Sequence, residues 1–357
     1  MKYLGLDVHD KATVFCLLEA DGTEAEHGRV PTSCEALQQL VKRLGGAQEV
    51  TVGQEVGALS YFIHDAVTAT GAKILSFNAY QMRMIASSRK KTDRRDAYWI
   101  AKALQSGMMP HPVYIPTGVV RRLRALLSQR DAIVTERKRW LLRARSYLRA
   151  GGYAMPKASR SVQRLLALSV GAADGLDAHL AQALELCLRN ESSLRQELRD
   201  VEKRIRIETQ EVPAIERLKT IPAVGDQVAV RIYAWVGDVS RFANARQLSS
   251  YAGLAPAVWQ SGETCRHGGV TKQGSPPLRS VLVQAGHVLL FRCTDPSAAP
   301  LRAIAMRVHK TRAKRKIAVV AAARHILRIA FYVLRDQKDY DPALLHSESI
   351  EDKQAVA

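Results

Sequence analysis

Aromatic side chains make up only 6% of the 357 residues, and the five cysteines are scattered at Cys16, Cys34, Cys187, Cys265 and Cys293. Their number is odd and no Cys-x-x-Cys pair occurs, which argues against a disulfide framework and against a structural zinc site. Long apolar runs are missing too. The longest, 317–334, is interrupted by Arg324, His325 and Arg328, and does not read as a membrane span. The N-terminus enters a strand pattern at once, so no signal peptide is expected, and a reduced cytoplasmic compartment near the nucleoid follows. Acids are also scarce. The chain has 34 Asp and Glu against 53 Lys and Arg, a formal charge of +19 and a pI near 9.9. That surplus fits a polyanion, most simply nucleic acid; it supplies affinity and salt dependence rather than sequence choice. On composition alone, a ribosomal or membrane-surface protein fits as well.

Against this basic background one stretch stands out, 90–97, Lys-Lys-Thr-Asp-Arg-Arg-Asp-Ala. Asp93 and Asp96 are three residues apart, so a helix starting here puts both carboxylates on one face of its first turn. Like charges side by side repel, and a divalent cation would relieve that repulsion. The flanking Arg89, Lys90, Lys91, Arg94 and Arg95 suit a phosphate backbone. An ordinary capped helix start explains the acids equally well, because any first turn favours them.

The length allows two or three domains. Residues 2–19 read as two strands about a polar break at His9-Asp10-Lys11, Asp21-Gly22 marks the next turn, and a third strand is expected near 26–30. Helical spacing follows over 34–44, a strand over 50–54 with Glu55 at its end, a helix over 59–70, a strand over 72–77 and a helix around Met82. Three strands and then alternating helix and strand predict a mixed sheet flanked by helices. In such a sheet Asp7, Glu55, Asp93 and Asp96 can converge. Oxygen donors of this kind hold magnesium, and two-metal phosphoryl-transfer sites keep their ions about 4 Å apart.

Gly5-Leu6-Asp7, Gln54-Glu55-Val56-Gly57 and Lys91-Thr92-Asp93-Arg94-Arg95-Asp96-Ala97 together resemble the DEDD insertion-sequence transposases. The resemblance implies an α/β RNase H-like (RuvC-type) N-terminal domain in which Asp7, Glu55, Asp93 and Asp96 bind Mg2+ or Mn2+. The second motif departs from the commoner Glu-Ala-Thr-Gly form, reading Glu55-Val56-Gly57-Ala58, but keeps its acid.

From Val119 a long helix is expected, with Leu127, Val134, Leu141 and Leu148 recurring every seven residues beside Leu126, Ile133, Trp140 and Tyr147; Gly151-Gly152 ends it. After a looser stretch, a second long helix spaces Leu180, Leu184, Cys187, Leu194, Leu198, Val201 and Ile205 by threes and fours, with Glu191 as the polar intruder. The pair reads as an antiparallel arm or coiled coil, either a spacer or a dimerisation element.

Pro222-Ala223-Val224-Gly225 resembles the turn of a helix-hairpin-helix without its first glycine, and an ordinary helix–helix turn fits equally. Next come Ala252-Gly253-Leu254-Ala255-Pro256, Ser261-Gly262, Lys272-x-Gly274 and Leu278-Arg279. By themselves they read as a solvated or phosphate-contacting basic loop. The same series resembles the transposase C-terminal domain, which implies that Ser261 is the nucleophile joined to a DNA phosphate, with Arg266, Lys272 and Arg279 as candidates to stabilise developing charge. Between Pro296 and Arg335 ten Lys or Arg occur and no acid, so Arg307, Lys310, Arg312, Lys314, Arg315 and Lys316 read as a nucleic-acid face. Residues 340–357 read as a mobile tail.

The expected organisation is therefore an RNase H-like DEDD domain (1–115), a helical arm (116–215), a mainly α serine domain (216–335) and a polar tail (336–357). The resemblance implies donor and target DNA as substrates, a structured guide (bridge) RNA, and a homo-oligomer, a dimer that becomes a tetramer when two DNA sites are brought together. No membrane partner is expected. Rival readings are a Piv-type site-specific invertase, a metal-dependent junction nuclease that cuts with water, and a non-catalytic nucleic-acid binder.

Overall fold

The computed structural model describes residues 1–85, 92–153, 162–165, 178–261, 264–312 and 315–342; within these, the side chains of 83–85, 258, 260, 261, 264–267 and 309–312 are not described. Arg89, Lys90, Lys91 and Lys314 lie outside the described residues, as does most of the looser stretch after Gly152. The chain forms two units, Met1–Pro116 and Thr117–Ala357.

The first unit is built on a five-stranded sheet of order β3-β2-β1-β4-β5. Its strands are β1 (Lys2–Val8), β2 (Ala12–Leu18), β3 (Glu24–Pro31), β4 (Val50–Glu55) and β5 (Lys73–Phe77). The first three form an antiparallel meander, while β1, β4 and β5 run parallel. Parallel pairing needs crossovers, and the intervening helices α1 (Cys34–Arg43), α2 (Gly46–Glu49) and α3 (Ser60–Thr68) supply them. Side chains alternate across each strand, which sorts the apolar residues onto two faces. Leu4, Leu6, Phe15, Leu17, Val50 and Val52 pack with Leu37, Leu40, Val41, Ile63 and Val67 on one face. Tyr3, Cys16, Leu18, Leu75 and Phe77 face the other way, where α4 (Ala79–Ile85) contributes Met82 and α5 (Asp93–Ser106) contributes Ala97, Ile100, Ala101, Ala103 and Leu104.

Two glycines set how closely α5 approaches. A Cβ on Gly5 would fall 2.0 Å from the Ala97 carbonyl oxygen and 2.6 Å from the Ala101 nitrogen. A Cβ on Gly53 would fall 2.7 Å from Leu104 Cδ1 and 2.8 Å from Ile100 Cγ2. The helix backbone therefore lies directly on β1 at Gly5, where a side chain has no room, while at Gly53 the side chains of Ile100 and Leu104 fill the space over β4.

In the second unit α6 (Gly118–Ala150) and α7 (Ala178–Thr209) run antiparallel, as the ion pairs Arg122–Glu208, Arg130–Glu202 and Arg137–Glu191 show. The seam differs from the two heptad stripes expected for α6: Val134 and Tyr147 are exposed. The other six stripe residues join apolar clusters, with Trp140, Leu141 and Leu148 packed with Leu180, Leu184 and Cys187 of α7, and the Arg137–Glu191 pair adds an ionic link between the helices. Leu123, Leu126 and Leu127 join the core of the globular part. Glu191, the intruder in the α7 pattern, is 1% exposed and bonds Arg137 across the pair at 2.7 Å and Arg195 on its own helix at 3.0 Å.

The globular part consists of α8 (Pro213–Lys219), α9 (Asp226–Val236), α10 (Ala245–Tyr251), α11 (Pro276–Phe291), α12 (Ala299–Arg312) and α13 (Arg315–Asp336), with one small sheet of β6 (Pro256–Ser261) and β7 (Thr264–Val270). By length and composition α13 could cross a membrane. In this fold it is a core helix, with Ala318, Ala322, Ala323, Ile326, Leu327, Ala330 and Phe331 buried against the rest of the unit. Between α8 and α9, Ala223 takes φ 66°, the left-handed region that the usual glycine of a helix-hairpin-helix would occupy without strain. Two expectations need correction. The segment carrying Ser261 is a β-hairpin rather than a loop. The chain is also anchored at Tyr340, the first residue of the stretch read as a tail, because its hydroxyl donates to the Ser297 carbonyl and its backbone N–H to Thr220 Oγ1; 343–357 lie outside the described residues.

Candidate metal centre and serine hairpin

Asp7 stands near the end of β1 on the Gly5 face, and Glu55 ends β4 on the Gly53 face, so both acids lie on the side of the sheet that α5 covers. The parallel register pairs Leu6 with Gln54, which sets Asp7 and Glu55 side by side one step further on. The α5 axis runs against β1. Its first turn, held by Thr92 accepting a hydrogen bond from the Arg95 N–H, therefore opens at the strand end where the acids stand. Asp93 and Asp96 both lie in that turn, where the helix dipole favours negative charge.

Asp7, Asp93 and His9 form a group whose potential ligand atoms all lie within 4.8 Å of one another. His9 Nε2 is 3.1 Å from Asp7 Oδ2 and 3.5 Å from Asp93 Oδ2. Burial pushes the Asp7 carboxyl above its ordinary value; His9 opposes the shift, and the charges of Asp96 and Asp93 add to it. A carboxylate that is costly to ionise beside two further acids is a place where a cation lowers the free energy. The donor set of carboxylate oxygens and one imidazole thus fits a divalent ion. Asp96 is close enough for its charge to act on Asp7, and Glu55 ends the strand paired with β1; neither is among the three residues of this group.

His9 is the residue that sequence reasoning passed over, having been read as part of a polar turn. The signal was its position two residues after Asp7, just past the end of β1, a spacing that in an extended chain returns to the same side. Around the acids, Arg94 is paired with Glu24 at 2.7 Å and Arg95 is exposed.

The second candidate region is the β6–β7 hairpin. Ser261 pairs with Thr264, and Trp259 pairs with Arg266. The Trp259 indole is 63% exposed and lies across Gly268, where a Cβ would fall 2.3 Å from the ring. Beneath the hairpin the motif glycines meet. A Cβ on Gly253 (φ 68°) would fall 2.1 Å from the Gln273 carbonyl oxygen, and one on Gly274 (φ 101°) would fall 2.0 Å from that of Tyr251. The Ala-Gly-Leu and Lys-x-Gly pieces are therefore two sides of one tight crossing. Arg279 is half-buried and donates to the Ala252 carbonyl at 3.3 Å, so it braces this crossing, while Lys272 is exposed at φ 56°. Arg307 and Lys316 are exposed; Arg315 stacks on Phe291 at 4.0 Å and contacts His287 Nε2 at 3.2 Å.

A mixed five-stranded sheet with acids gathered where its first strand meets a covering helix, followed by a mostly helical unit, is consistent with an RNase H-like DEDD domain and its partner region. Residues 4–151 match the DEDD transposase model of the IS110 group, and residues 215–301 match the model described as the transposase IS116/IS110/IS902 family. The transposase for insertion sequence element IS1111A of Coxiella burnetii is 31% identical over 255 residues, covering 70% of this chain and 68% of that protein. The transposase for IS1328 of Yersinia enterocolitica is 25% identical over 83% of this chain and 86% of its own length. A pilin gene-inverting protein of Moraxella lacunata is 30% identical over 35% of this chain and 38% of its own. The chain belongs to the IS110 family of DEDD transposases, and such a protein is an enzyme that cleaves and rejoins DNA.

Proposed function

We propose that this protein moves an insertion sequence by strand exchange through a serine–DNA covalent intermediate, with the acids of the first unit and the serine of the second serving one reaction. The observation that carries the reading is the gathering of Asp7 and Asp93, with Asp96 close enough to act on Asp7, at the end of β1. Glu55 completes the set from the neighbouring strand. Asp7, Glu55, Asp93 and Asp96 would hold a bound Mg2+ or Mn2+, with α5 fixed against β1 to keep the carboxylates aimed, and that ion would supply charge neutralisation for phosphoryl transfer.

In the covalent step the Ser261 hydroxyl oxygen attacks a backbone phosphorus. The serine O–P bond forms as the P–O3′ bond breaks, and the serine proton ends on the released 3′ hydroxyl. Attack by a 3′ hydroxyl of the other DNA reverses the exchange and frees the serine. The exposed Trp259 and the basic residues near it (Arg266 and Lys272) suit a nucleic-acid surface, as do Arg307, Lys310, Arg312, Lys314, Arg315 and Lys316. The net charge of +19 and the family resemblance together support a structured guide RNA pairing with donor and target DNA, and a homo-oligomer built through the α6–α7 arm. Such a protein works where the chromosome is, in the cytoplasm. The partial likeness to a pilin gene-inverting protein keeps site-specific inversion as the second reading.

Ser261→Ala decides the covalent step. On a DNA substrate that traps intermediates, the variant should still bind DNA yet form no denaturation-resistant protein–DNA adduct. An adduct that survives the substitution removes Ser261 from this role.

A further inference from the structure

We propose that His9 is a direct ligand of the divalent cation, and that its imidazole makes the centre prefer manganese to magnesium. The inference deepens the proposed metal site and rests on that reading.

The donor spacing points this way. Two donors at right angles around an ion, each about 2.1 Å from it, stand about 3 Å apart. His9 Nε2 stands 3.1 Å from Asp7 Oδ2 and 3.5 Å from Asp93 Oδ2, and all three ligand atoms fall within 4.8 Å of one another. One ring nitrogen carries at most one proton, so it donates one good hydrogen bond, not two. A nitrogen aimed between two carboxylates is better placed to share a cation with them.

The backbone holds His9 there. Its carbonyl accepts from Thr32 Oγ1 at 2.7 Å, Thr32 Oγ1 also meets Thr13 Oγ1 at 2.9 Å, and the Thr32 N–H bonds the Lys11 carbonyl at 3.2 Å. The turn after β1 is thereby tied to the end of β3, and the ring is presented at the acids rather than left to a loose loop. Second, the chemistry discriminates between ions. Mg2+ takes oxygen donors and keeps its waters, whereas imidazole is a better ligand for the later transition ions. An all-carboxylate centre has little reason to separate the two. One nitrogen donor gives it one.

The full-length protein, titrated with MnCl2 without DNA and followed by electron paramagnetic resonance, tests this. The wild type should bind Mn2+ and show a directly coordinated 14N in the pulsed spectrum. His9→Ala should lose that signal and bind Mn2+ about tenfold more weakly, while Mg2+ affinity, read by competition, changes much less. His9→Gln, which offers an amide oxygen, should recover part of the binding but none of the nitrogen signal. If Mn2+ binding is lost in Asp93→Asn but the wild type shows no coordinated nitrogen, or if His9→Ala weakens both ions equally, the histidine proposal fails and the acid centre stands. Absence of Mn2+ binding, or binding indifferent to Asp7 and Asp93, overturns both.

Discussion

Asp7 carries the cost of the site in the metal-free protein. Its folded-state pKa lies above the ordinary 3.8, chiefly through burial, so the folded protein favours the protonated form. The stability tied to that proton is fully present below the ordinary value and is lost as the pH rises through the raised one. At neutral pH, metal-free Asp7→Asn should therefore melt above the wild type, and the gap should close as the pH falls into the carboxylate range. Adding Mg2+ or Mn2+ should raise the wild-type melting temperature more than that of the variant, because the variant has lost a ligand. Thermal denaturation in chelator and in metal, across pH, reads all three. A variant less stable than the wild type in chelator would mean that Asp7 is held by favourable contacts and is not an acid waiting for a cation. At this scale the sequence was informative about the acids, whose types and order carry the signal. It said less about His9, whose spacing of two from Asp7 gains meaning only once the turn after β1 is tied down by Thr32.

Among the elements, α5 positions the centre and Gly5 positions α5. A methyl group at residue 5 has no room against the Ala97 carbonyl, so Gly5→Ala should force the helix outward, costing on the order of 1–3 kcal/mol. Metal affinity should fall with it, although no ligand is changed. Unaltered melting and metal binding would show that the helix can shift without moving Asp93 and Asp96. The arm offers a different test. Glu191 is buried between two arginines, and Glu191→Ala removes their shared partner, a loss of about 2 kcal/mol. Glu191→Leu, which fills the space with apolar volume, should lose less; urea melts of the two variants give the comparison. Equal losses would leave charge pairing without a role.

The strands and helices around the acids were legible in advance because alternation and helical spacing both hold there, and because His9-Asp10-Lys11 and Asp21-Gly22 punctuate the chain. Around Ser261 they were not. The segment 256–270 is rich in glycine and polar residues, so it reads as loop, and its strand character comes from pairing across two residues that composition does not reveal. Of the twin stripes of α6 only Val134 and Tyr147 are left exposed: spacing shows which residues share a face, but not where along the helix that face finds a partner.

Over the whole molecule, the surplus of positive charge and the two-unit division are what a DNA-acting enzyme with one acidic centre needs. Most of the chain attracts polyanion, and the few clustered acids need a cation before a phosphate can approach them. The central claim is that those acids serve the chemistry and not merely the fold. Its most direct test is strand exchange between donor and target DNA by Asp93→Ala in saturating Mg2+ or Mn2+, with DNA binding and melting measured on the same preparation. Asp93 is exposed in the first turn of its helix, so the variant should fold and bind DNA as the wild type does while strand exchange falls below detection. Recombination retained at the wild-type rate would contradict the account and leave the acids a structural part of a nucleic-acid binder.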